Sequence, residues 1–143
     1  FLGQTYCPPA SPNSTGGPGE ISASGSVMTA DNDVVLFCSS LPSNQFGYFL
    51  TSMTPGFLPN PAGSQGNLCV LGDIGRYIGP GQVQNSGLLG LVSLGINLDQ
   101  MPRPTGPMAV QPGDTWYFQF WHRDGSASGP VSNMTDALQI QFQ

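Results

Sequence analysis

His122 is the only histidine in the chain, and so the only side chain whose ordinary pKa suits general-base chemistry near neutral pH. Asp124 follows two residues later, the spacing that puts two side chains on one face of a strand. A nucleophile would have to come from Cys38 or Cys69, and no G-x-S-x-G elbow is present. The expectation is therefore a structural histidine and no catalytic centre. Paired carboxylates could serve glycoside cleavage. The acids here (Glu20, Asp31, Asp33, Asp73, Asp99, Asp114, Asp124 and Asp136) fall almost entirely at turn signals, where Asp bonds nearby backbone N–H groups. Asp31-Asn32-Asp33 gathers oxygen ligands at one loop, so Asp31 and Asp33 are candidate calcium ligands, although the glycine and distal glutamate of an EF-hand are missing.

The densest chemical signal is aromatic. Trp116, Tyr117, Phe118, Phe120 and Trp121 fall within six positions. In a strand, Trp116, Phe118, Phe120 and His122 share one face, which reads as core; Tyr117, Gln119, Trp121 and Arg123 share the other. The second set resembles a sugar platform, with rings for C–H faces and Gln and Arg for hydroxyls. Tyr117, Trp121 and Arg123 are the candidate ligand contacts, with Tyr48 and Phe49 as further ones. The competing reading covers both faces of this strand and wedges Trp121 under a loop.

The three cysteines lie 31 residues apart each time, at Cys7, Cys38 and Cys69. An odd count leaves one thiol over. A Cys7–Cys69 bridge would pin a poorly ordered N-terminal segment and close a long loop, contributing about 4 kcal/mol in the chain-entropy picture. Cys38 lies in an apolar run, Val34 to Cys38, and would behave as a small buried hydrophobe. Three reduced thiols are the alternative; a zinc site is a weaker one, because zinc ligands normally come in close pairs.

These residues must be positioned by strands. Gly and Pro number 20 and 14 in 143 residues, and no window carries a helical stripe. Residues 1–19 read as an extended Pro/Gly-rich segment, and 20–143 as one domain. Alternation places strands near 20–27, 34–39, 46–51, 68–71, 76–78, 88–98, 108–110, 115–123 and 137–142. Residues 53–67 are too rich in breakers for a regular element. Eight or nine short strands at this spacing predict an all-β, antiparallel β-sandwich of jelly-roll-like form.

Charge narrows the partners. The chain has three basic residues, Arg76, Arg103 and Arg123, no lysine, and a net charge of −5. That balance argues against nucleic acid and against an anionic membrane surface. No run approaches the length of a membrane span. Opening at Phe1 rather than methionine is what a mature or excised piece would show. The absence of lysine, the cysteines without a C-x-x-C pair, and two sequons, at Asn13 and Asn133, point to a secreted, extracellular setting.

The run Trp116 to Asp124, followed by Asn133-Met134-Thr135-Asp136-Ala137-Leu138, is similar to accessory β-sandwich modules at the C-terminal ends of bacterial secreted and surface multidomain proteins. Gly66-Asn67-Leu68-Cys69 and Gln111 to Trp116 fit the same resemblance, which implies no defined activity. His122 and Cys38 depart from the residues usual there. The expected function is a non-catalytic extracellular accessory module binding carbohydrate or a cell or matrix surface. The alternative is a structural subunit that self-associates into an extracellular assembly.

Overall fold

A computed structural model describes residues 1–7 and 10–143. The described residues form eleven strands rather than the eight or nine expected: β1 (Gln4–Tyr6), β2 (Glu20–Ser24), β3 (Val35–Ser39), β4 (Phe46–Ser52), β5 (Thr54–Pro59), β6 (Asn67–Leu71), β7 (Gly75–Arg76), β8 (Gln84–Asn85), β9 (Val92–Gly95), β10 (Thr115–Ser126) and β11 (Gly129–Gln141). All pairings are antiparallel. Among the described residues, no helix is long and apolar enough to cross a membrane.

Six strands form the larger sheet, in the order β1-β11-β10-β4-β7, with β8 also pairing with β4. Three more form a second sheet, β2-β3-β9. The core fills the space between them. Phe49, Trp116, Phe118, Phe120, Leu138 and Ile140 from the large sheet meet Ile21, Ala23, Leu36, Cys38 and Val92 from the small one. Period-two alternation creates this layer, since every second residue of each strand turns inward.

The third sheet, the two-stranded ribbon β5-β6, lies against the opposite face of the large sheet. Residues 54–59 were expected to be loop because of Pro55, Gly56 and Pro59. They form a strand because β5 pairs on one side only, with β6, and a proline at a sheet edge forfeits no needed donor.

Three other segments differ from expectation. The N-terminal segment is not all tail: β1 pairs with β11, Leu2 N–H donates to Ala23 O at 2.8 Å, and Tyr6 Oη donates to Cys69 O at 2.7 Å. Residues 108–110 contribute only a bridge between Met101 and Met108. The final strand begins at Gly129, because the β10–β11 hairpin continues through a bulge between Gln119 and Trp121. There Thr135 and Asp136 oppose Phe120; the Phe120 N–H donates to Thr135 Oγ1, and the Asp136 carboxylate accepts from Ile21 N–H of β2 at 2.9 Å. The bulge thus ties the two sheets together.

Candidate functional site

The outer face of the large sheet carries the candidate platform. Tyr117, Gln119, Trp121 and Arg123 point to it from β10, as alternation requires. Gln119 is wholly buried under the ribbon. Its Oε1 accepts from Cys69 N–H at 2.9 Å, and its Nε2 donates to Asn67 O and Thr135 O, both at 2.8 Å. Gln119 is therefore a clamp for β6. Tyr117 is half-buried beside it, edge-on to Tyr6 with ring centroids 5.6 Å apart.

Beyond the ribbon the same face opens. Trp121 pairs with Tyr48 across β10 and β4, and their rings are 5.1 Å apart at a tilt of 36°. The exposed Arg123 guanidinium sits 5.6 Å from the Trp121 ring centroid. Tyr48, Trp121 and Arg123 form one surface patch, and the buried Gln119 separates them from Tyr117. Phe49 does not join them. It is fully buried and packs on Phe120, because the residue after Tyr48 must turn to the core. Phe49 is a core residue, not a ligand contact.

His122 and Asp124 do lie on one face, but no hydrogen bond joins them. Asp124 accepts from Ser14 N–H and Gly125 N–H, both at 2.8 Å. His122 Nδ1 lies 2.9 Å from the Arg123 carbonyl, which can only accept, so Nδ1 carries the proton. Nε2 is then a buried acceptor without a partner among the described residues. Burial holds the imidazole pKa below its ordinary value, against the Arg123 carbonyl and the Asp124 charge, which favour the protonated form.

Both sequon asparagines belong to the same polar seam. Asn13 donates to Ser40 O and accepts from Thr15; Asn133, fully buried, donates to Pro12 O at 3.0 Å and accepts from Met134 N–H at 2.7 Å. Asn133 fastens residues 11–12 to the hairpin and Asn13 fastens its own turn to Ser40 beyond β3, and neither amide faces solvent as a glycosylation acceptor must. Any side chain at Gly66 would strike Met134 and Asn133, so the seam also fixes that glycine.

Cys7 and Cys69 are bonded, with Cα atoms 6.2 Å apart, and Cys38 is a free, buried thiol. Burial raises the Cys38 pKa, with the neighbouring Asp136 charge adding to it, so the thiol stays protonated and unreactive. Asp31 and Asp33 are exposed, and Asp33 Oδ1 accepts from Ser26 N–H. Asn32 between them serves structure, accepting from Leu98 N–H at 2.7 Å. Among the described residues, no group of three or more acidic, histidine or cysteine side chains is placed to hold a metal.

The buried polar seam was not visible from the sequence. Its only signal was an excess of Asn, Asp and His in strand positions that alternation turns inward. No protein-family model, curated protein or solved structure matches this chain.

Proposed function

We propose that the protein is a non-catalytic, extracellular accessory module that binds carbohydrate through the Tyr48–Trp121–Arg123 patch. The observation that carries this reading is the contiguity of two half-exposed rings and one guanidinium on a rigid sheet face. Rings fixed by cross-strand pairing offer apolar surface to sugar C–H faces without an ordering cost on binding. Arg123 adds donors for hydroxyl or carboxylate oxygens at the rim of the same patch. The bridge from Cys7 to Cys69 fits an oxidising compartment.

Retention on immobilised polysaccharides and a glycan array test it. Trp121→Ala and Tyr48→Ala should abolish retention while the circular dichroism spectrum and melting transition remain those of a folded sandwich. Retention that survives both substitutions refutes the patch as the site. The second reading, a structural subunit, draws on a different surface. Leu88, Leu89 and Leu91 are 84%, 81% and 52% exposed in a stretch without charge, an unusual concentration for a monomer.

A further inference from the structure

The small sheet has two edges, and one of them is partly covered. In β2 the groups facing away from β3 belong to Ile21 and Ala23; the Asp136 carboxylate takes the Ile21 N–H, and Leu2 N–H takes the Ala23 carbonyl. At the other edge, Ile96 N–H donates to Val34 O at 3.0 Å, which fixes the phase of the ladder. Val92, Leu94 and Ile96 therefore turn their backbone groups toward β3, and Ser93 and Gly95 turn theirs outward. Among the described residues, no hydrogen bond reaches those outward groups. A Cβ built on Gly95 meets nothing within 4 Å, so the outer face of the sheet is open at that residue.

Proteins usually guard such an edge. Here β5 carries Pro55 and Pro59, and β7 and β8 are two residues long. Around β9, Gly81 through Leu98 contain neither a charge nor a proline, and the exposed leucines 88, 89 and 91 immediately precede the strand. A groove of about 420 Å³ lined by Phe37, Ser39, Gln84, Leu91 and Ser93 runs along the outer face beside it.

We infer that the β9 edge pairs antiparallel with the β9 edge of a second copy of this chain, about a two-fold axis near Leu94 that sets Ser93 of each copy opposite Gly95 of the other. Such an edge is self-complementary: each outward residue supplies one donor and one acceptor, and antiparallel pairing returns both. The choice of a second copy rests on charge. A chain of net charge −5 repels itself over most of its surface, and this strip is free of that repulsion. Val92–Gly95 contains no acid, so no two acids face each other along the paired strands. The two three-stranded sheets become one six-stranded sheet. The Trp121 patches lie on the other sheet and remain free, so the pair would display two of them.

Sedimentation of the intact, disulfide-bonded protein over a concentration series tests this. A closed dimer is expected at micromolar concentration. Ser93→Pro removes an outward N–H that no intrachain partner uses, and Gly95→Lys places one cation on each side of the axis. Each should weaken association by at least about tenfold, with melting transitions showing both variants folded; the two act differently, so one suffices if the other unfolds. Trp121→Ala should leave the dimer intact, which separates this inference from the glycan-binding reading. A monomer at all concentrations up to about 1 mM, a dimer indifferent to the substitutions, or growth into open filaments overturns it.

Discussion

Within one strand, β10, the outer face has a covered half and a bare half. Tyr117 and Gln119 lie beside or under the ribbon; Trp121 and Arg123 lie beyond it. All four have side chains able to recognise a polar ligand, and alternation treats them alike. The difference comes from a segment far away in sequence that the Cys7–Cys69 bridge and Gln119 hold against the sheet. A side chain's availability is thus decided by what its face packs against, which is a tertiary matter.

The strongest way to erase the difference is to release the ribbon. Replacing Cys7 and Cys69 together by alanine frees a loop spanning 62 residues and should cost about 4 kcal/mol of stability, read as a lowered denaturant midpoint. Exposure of Tyr117 to solvent, followed by its absorbance, should rise before global unfolding. Gln119→Leu comes next. It keeps the volume but strips the Cys69 N–H, the Asn67 carbonyl and the Thr135 carbonyl of their partner inside a closed interface. At roughly 1–3 kcal/mol for each orphaned group, partly relieved by relaxation, a loss of about 3 kcal/mol is expected. An unchanged unfolding curve would mean the ribbon does not depend on this clamp.

The inner face of the same strand end responds to pH. His122 is held neutral in the folded state, with a pKa below the value of about 6.5 that it has when unfolded. The unfolded chain therefore binds the proton first. The stability is complete above pH of about 6.5 and is lost as pH falls toward the folded pKa. Asp136 acts with the opposite sign: burial raises its carboxyl pKa, so the folded chain takes up that proton more readily in acid. Melting temperature against pH should fall below neutrality in the native chain and flatten in His122→Gln.

The sandwich was legible because its core obeys the two-residue period: Ile21 and Ala23, Leu36 and Cys38, Phe118 and Phe120 are buried as that period demands. Even at 91–98, where only Val92–Gly95 forms a strand, the odd residues are exposed and Val92, Ile96 and Leu98 are buried. The bridge was legible because Cys7 sits in a Pro-flanked segment with little else to order it, and Cys38 lies inside the apolar run from Val34. The ribbon was not, since Pro55 and Pro59 break strands inside a sheet but protect them at its edge. Nor was the role of Gln119, whose partners are backbone atoms some fifty residues distant. Phe49 was misplaced for a simpler reason: adjacent strand residues cannot both face a ligand, and Tyr48 already did.

The smallest effect separates binding from stability on the bare half. Arg123 is exposed, and its contact with Trp121 is a surface cation–π pair contributing about 0.5 kcal/mol. Arg123→Ala should therefore leave the melting temperature within a few degrees of the native value. If the guanidinium serves the ligand, the same substitution should reduce glycan retention well beyond that small stability change, and Arg123→Lys should restore it only in part, because an ammonium lacks the planar fork. Equal loss of stability and retention would instead make Arg123 a packing residue. The bare half would then differ from the covered half in degree of cover alone, and Trp121 with Tyr48 would have to carry recognition by themselves.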